Sequence, residues 1–168
     1  MPKIIENLKD RLLAEAQQQI AQNGYAAVTI RSIAKGCGVG IGTVYNYFPS
    51  KEALIATHLL EDWNRCIHAI QAQAEDTEIP HPVLLCIYEQ LTGFACRHDV
   101  IFRDDAAAVG FNGSFSQYHG VLRGQLAKPL RKFCANDFVA EFIAESLLTW
   151  SMVGKSFEDI ADIIERIF

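Results

Sequence analysis

A chain of 168 residues, half of them apolar and 21% charged, has material for one sizeable core or for a core with a small appended domain. No apolar run approaches the roughly 18–20 residues of a bilayer crossing, and the stretch from Met1 to Lys9 mixes charges into its apolar positions where a signal peptide would have a hydrophobic core, so no membrane partner and a cytoplasmic location are expected. The net charge of −5 taken alone argues against nucleic acid, but residues 1–51 carry net +3 and the remainder net −8, so one end can meet polyphosphate while the rest repels it.

In chain order the pattern is helix after helix, with no sustained strand-like alternation. From Lys3 to about Asn23, Ile4, Leu8, Leu12, Ala16 and Ile20 recur every fourth residue, and Asn23-Gly24 ends the stripe as a C-cap. Thr29 offers an N-cap hydroxyl for a short helix from Ile30 to about Cys37, with Ile30, Ile33, Ala34 and Cys37 inward. A second short helix fits from about Ile41 to Phe48. Pro49-Ser50 breaks it, and Ser50 caps a long helix from Lys51 toward Gln73. The acidic, proline-interrupted segment 75–82 reads as a linker. Periodic stretches follow near 82–97, 99–109, 114–134, 136–152 and 156–168. The expected fold is all-α with about nine helices, a three-helix head over residues 1–50 and a larger helical body over 51–168.

The stretch from Thr29 to Phe48 carries the chemistry. A helix-turn-helix needs a small residue where its helices cross, a residue tolerant of positive φ in its turn, and apolar plugs on either side. Ala34, Gly38, Val39 and Val44 supply these at offsets of four to six residues. Gly40 and Gly42 keep the start of the second helix slim enough to approach a duplex. Thr43, Tyr45 and Asn46 are placed to reach base edges in a major groove. Tyr47 offers a phenol to the phosphate backbone, Lys51 a cation at the next helix start, and Arg31 a guanidinium from the helix before. Val44 and Phe48 take the inward stripe, so Tyr45 and Tyr47 are expected to face outward.

The segment from Asn23 to Ala34, followed by Gly38-Val-Gly-Ile-Gly-Thr-Val-Tyr-Asn-Tyr-Phe-Pro-Ser-Lys-Glu-Ala-Leu54, resembles the DNA-binding domain of the TetR/AcrR family, over roughly residues 8–55. The resemblance implies a homodimer on a palindromic operator in double-stranded DNA, usually a repressor released by a small-molecule effector. It also implies that Thr29, Arg31, Gly42, Thr43, Tyr45, Tyr47 and Lys51 act on DNA. Asn46 stands where the family often has histidine, which bears on the operator sequence. The family's middle helices enclose an effector pocket, for which Phe94, Phe102, Phe111 and Tyr118 are the candidate walls here.

The two terminal helices are apolar on broad faces: Phe138, Phe142 and Trp150 on the first, and Phe157, Ile160 and Ile164 on the second. Pairing them with their copies across a two-fold axis as a four-helix bundle would cover both. Nothing points to catalysis, a metal or a cofactor. Gly36, Gly38, Gly40 and Gly42 alternate strictly and do not satisfy Gly-x-Gly-x-x-Gly. No His-x-x-x-His pair exists, and His58 with Asp62 reads as solvated neighbours. The five scattered cysteines read as small buried hydrophobes. The rival reading is a helical small-molecule-binding or protein-interaction protein whose helix-turn-helix head never engages DNA.

Overall fold

The computed structural model describes residues 7–110 and 114–168, and among these the side chains outside 109–118. The described residues form ten α-helices and one 3-10 turn: α1 Leu8–Asn23, α2 Ile30–Cys37, α3 Ile41–Tyr45, α4 Lys51–Glu75, α5 His81–Arg97, α6 Asp99–Phe102, α7 Asp105–Gly110, α8 Ser114–Leu130, the turn Arg131–Phe133, α9 Asp137–Met152 and α10 Phe157–Ile164. The all-α expectation is met.

The helix boundaries follow local chemistry. Gly24 (φ 79°) closes α1, its N–H donating to the Ile20 carbonyl. Thr29 caps α2 in a reciprocal box with Ser32, each side chain accepting from the other's backbone N–H at 3.0 Å. Ser50 Oγ accepts from the Ala53 N–H at 3.1 Å at the start of α4. Asn136 and Ser156 cap α9 and α10 in the same way. One periodic stretch expected as a single helix, 99–109, is two. The Asp104 carboxylate accepts from the N–H groups of Ala106 (2.9 Å) and Ala107 (3.1 Å), which starts α7 afresh after α6 has ended. The stretch 114–134 also divides. Pro129 lies in the last turn of α8, and the chain tightens into the 3-10 turn just beyond it.

The chain sorts into two compact units. We call Met1–Glu61 with His98–Asn112 the head, and Asp62–Arg97 with Gly113–Phe168 the body. The head core joins Leu12, Ala16 and Ile20 of α1, Ile33 and Ala34 of α2, Val44 of α3, and Leu54 and Ile55 of α4 to Ile101 of α6 and Ala107 of α7. The body core joins Ile67 and Ile70 of α4, Leu84 and Ile87 of α5, Leu126 and Leu130 of α8, Ile143 and Leu147 of α9, and Ile160 and Ile164 of α10. Both follow the amphipathic spacing of their helices. Among the described residues, no helix is long and apolar enough to cross a membrane.

Candidate nucleic-acid interface

The geometry begins with the turn between α2 and α3. Gly38 ends α2 at φ 68°, ψ 32°, the left-handed region where a side chain costs about 1–2 kcal/mol. Its N–H donates to Lys35 O at 3.1 Å, and the Val39 N–H to Ala34 O at 3.0 Å. This reverses the chain so that α3 leaves across α2, with Ala34 buried at the approach. Val44 and Phe48 then fall inward, while Tyr45 and Tyr47 remain 52% and 44% exposed. The helix proper stops at Tyr45, three residues short of the expected Phe48. Its hydrogen bonding nonetheless continues, since the N–H groups of Tyr47 and Phe48 both donate to Val44 O at 3.0 Å.

The side chains expected on DNA share this outer region of the head. Thr29, Arg31, Gly40, Gly42, Asn46, Tyr45 and Tyr47 are exposed, and Thr43 is half-exposed. At Gly42 an added Cβ would meet nothing within 4 Å, and at Gly40 only the Thr43 hydroxyl at 3.8 Å. Nothing within the chain therefore requires glycine at either position. Gly36 differs: a Cβ there would lie 2.0 Å from the Glu15 carboxylate, so the Glu15 side chain would have to move.

Lys51 departs from the sequence picture. It is half-buried, its Nζ donates to the Tyr25 carbonyl at 3.1 Å, and it sits 4.0 Å from the centroid of the Tyr25 ring. The Tyr25 hydroxyl donates to Glu52 Oε1 at 3.4 Å. Burial, reinforced by the Glu52 charge, pushes the Tyr25 phenol up to about 12. The Glu52 carboxyl is held below its usual range, first by a hydrogen bond from its own backbone N–H, against the opposing effect of burial.

Sequence reasoning also missed the polar contacts that brace α1 on α2. Arg11 Nη2 donates to Cys37 O at 2.9 Å, satisfying a terminal carbonyl of α2. Gln19 Nε2 donates to Glu15 Oε1 at 2.7 Å and to Ser32 O at 3.1 Å, and Ser32 Oγ donates to Gln19 Oε1 at 2.6 Å. The Glu15-x-x-x-Gln19 spacing is the one available signal, because i and i+4 share a helix face. Their partner on α2 is not marked in the sequence.

A family model described as "Bacterial regulatory proteins, tetR family" matches residues 12–57. Over those residues the chain is similar to the TetR family. The matched segment runs from α1 into α4 and contains the whole helix-turn-helix. The curated HTH-type transcriptional regulator UidR of Escherichia coli (strain K12) is 36% identical over 59 residues, which is 35% of this chain and 30% of UidR. The alignment thus spans under a third of that relative's length. Among solved structures, SCO7518 from Streptomyces coelicolor A3(2) superposes with a TM-score of 0.72 at 15% identity, over 96% of this chain and 98% of the other. Thermus thermophilus FadR, a TetR-family repressor solved in complex with lauroyl-CoA, gives 0.61 at 20% identity, over 94% and 91%. At such identities the likeness is one of fold, and it extends over both head and body.

The other expected sites fare differently. Phe94 belongs to the body, half-buried with its ring edge-on to Trp63 at 5.5 Å. Phe102 belongs to the head, half-buried and edge-on to His98 at 6.3 Å. Phe111 and the side chain of Tyr118 lie outside the described residues. Of the apolar residues on the last two helices, Phe138, Phe142 and Trp150 face solvent at 76%, 49% and 49% exposure. Phe157, Ile160 and Ile164 instead pack into the body core, which corrects their expected role as outward interface residues. The outward residues of the terminal segment are Ile163, Ile167 and Phe168. Phe142, Ser146, Trp150 and Ile163 line an apolar groove of about 410 Å³ between α9 and α10.

Two further expectations are corrected. His58 and Asp62 are buried, not solvated: His58 stacks edge-on against His98 at 5.3 Å in the head, and Asp62 pairs with Arg65 (3.0 Å) and Arg97 (2.9 Å) in the body. All five cysteines are free thiols, but only Cys37 and Cys66 are buried, and Cys96 is exposed.

Proposed function

We propose that the chain is a transcriptional regulator, not an enzyme, that binds a palindromic operator in double-stranded DNA as a cytoplasmic homodimer. In this reading it is a repressor that a small-molecule effector releases. The observation that carries the reading is the division of aromatic and apolar side chains around α3. Val44 and Phe48 anchor it, while Tyr45 and Tyr47 stay about half exposed beside glycines that the chain's own packing does not need. A large apolar ring left in water next to a slender helix start suits a surface that is covered by something else. The wide groove of a duplex fits that shape. Thr43, Tyr45 and Asn46 would then read bases, Thr29, Arg31 and Tyr47 would hold the backbone, and Gly40 and Gly42 would admit the duplex closely.

Two heads are needed to read successive major grooves, which lie roughly 34–36 Å apart. The exposed Phe138, Phe142 and Trp150 on α9 support a two-fold pairing through the body. An effector that binds better to a DNA-incompetent arrangement releases the operator by shifting the population. Phe94 is the body residue we propose against the effector, and the lauroyl-CoA complex of Thermus thermophilus FadR supports a small-molecule ligand for this fold.

The test is a fluorescence-anisotropy titration with a duplex from upstream of the protein's own gene, at several salt concentrations. Wild type should prefer that duplex to a scrambled one. Tyr47→Ala should weaken binding by about tenfold across sequences and by the same factor at every salt concentration, because a neutral phenol displaces no counterion, while the fold is retained because the side chain is exposed. Equal curves for Tyr47→Ala and wild type would remove Tyr47 from the interface. No preference between the two duplexes would overturn the regulator reading.

A further inference from the structure

We propose that α3 reads A·T base pairs, with the Ile41 side chain packed on the methyl group of a thymine. The inference rests on the DNA-binding reading above and names the base chemistry that such a surface can recognise. From Gly36 to Ser50 the sequence holds no Lys, Arg, His, Asp or Glu. The commonest specific contact to guanine is a bidentate Arg or Lys on O6 and N7, and the cytosine amino group is read by a carboxylate. Neither side-chain type is present on α3, and the nearest cations in the chain, Lys35 and Lys51, belong to the helices on either side. What this helix offers instead is apolar surface and an amide.

Ile41 opens α3 at 37% exposure, and Tyr45, one turn on, is 52% exposed, while Val44 and Phe48 are buried. Residues four apart are neighbours on a helix surface, so Ile41 and Tyr45 lie side by side on the outside of α3. A single exposed isoleucine is ordinary on a protein surface. Here it stands between Gly40 and Gly42, so no adjoining side chain covers it and a base edge can reach it. The apolar group that base edges present in the major groove is the C5-methyl of thymine, and an aliphatic side chain is a fitting partner for it. Asn46, exposed just past the end of the helix, carries the amide that pairs with N6 and N7 of adenine. Methyl contact and amide contact both select A·T pairs.

The test starts from a duplex that the wild-type chain selects from a randomised library. Each thymine of the half-site is replaced in turn, in both half-sites, by deoxyuridine, which differs only in lacking the methyl. At one thymine the affinity should fall about fifteenfold, from about fourfold for each methyl that is no longer covered. Ile41→Ala should bind the thymine and deoxyuridine forms of that duplex alike, because the partner of the methyl is gone. Any loss of folded protein weakens both forms equally and leaves their ratio untouched. Asn46→Ala, selected on the same library, should relax the preference at an adenine. A deoxyuridine penalty in Ile41→Ala equal to that of wild type at every thymine would overturn the proposal. So would relaxation at a G·C pair by either variant. If the wild type selects no duplex, the regulator reading fails and this inference falls with it. If it selects one and no thymine couples to Ile41, this inference alone is lost.

Discussion

Gly38 and Gly42 stand four residues apart and have opposite physical reasons for being glycine. At Gly38 the backbone is left-handed, so Gly38→Ala should cost about 1–2 kcal/mol although no atom lies within 4 Å of the new Cβ. Gly42 has ordinary helical geometry and open space around it, so Gly42→Ala should stabilise the chain by roughly 0.5 kcal/mol through helix propensity. The same methyl would stand between α3 and a duplex, so DNA affinity should fall as stability rises. Urea denaturation and DNA titration of both variants check the two signs. A stabilised Gly42→Ala that binds DNA like wild type would leave that glycine without a role. The sequence showed this much because turn chemistry and helical spacing are local. The same spacing told Tyr45 and Tyr47 from Val44 and Phe48. The partner of Lys51 was not legible, because Tyr25 lies 26 residues upstream and no periodicity connects them.

At the scale of elements, α10 shows where pattern reading reaches its end. Phe157, Ile160, Ala161 and Ile164 form the i, i+3, i+4, i+7 stripe that faces the body core, and Ile163 lies off it. The other side carries the exposed Glu158, Asp159 and Asp162 beside Ile163, so the spacing marks the stripe as a covered face; it does not tell whether the cover is this chain's own core or a second copy. Ile160→Ala should cost about 2–5 kcal/mol, whereas Ile163→Ala, at 66% exposure, should change stability by no more than about 0.5 kcal/mol. Thermal melts of the two variants distinguish the faces, and similar losses would contradict the packing described for α10. The break between α6 and α7 was missed for a comparable reason. Asp104-Asp105 looks like surface charge in a list of residues, and only the two N–H groups it accepts from reveal a cap.

For the molecule as a whole, the acidic overall balance and the net-positive first 51 residues separate two behaviours. Phe138, Phe142 and Trp150, exposed on α9, are aromatic and uncharged, so association of copies through them should persist at high salt, while DNA binding by the net-positive first 51 residues should fade. Sedimentation should give a dimer at both low and high salt. Phe138→Glu combined with Trp150→Glu should give a folded monomer with weakened operator binding. A wild-type monomer at micromolar concentration would refute the pairing proposed through α9. The all-α class was readable from helical spacing, and the helix-turn-helix because it is encoded within some twenty neighbouring residues. The composition of the head was not, since α6 and α7 supply Ile101 and Ala107 to its core from far along the chain.

That borrowed pair has a bearing on synthesis. A ribosome delivers residues 1–61 long before it delivers 98–112, and in the interval the nascent amino-terminal segment lacks two of the hydrophobic side chains that close its interior. Translation must run past the whole of α5 before α3 has its complete support. A transcript cut short after the helix-turn-helix would yield a fragment with an open core.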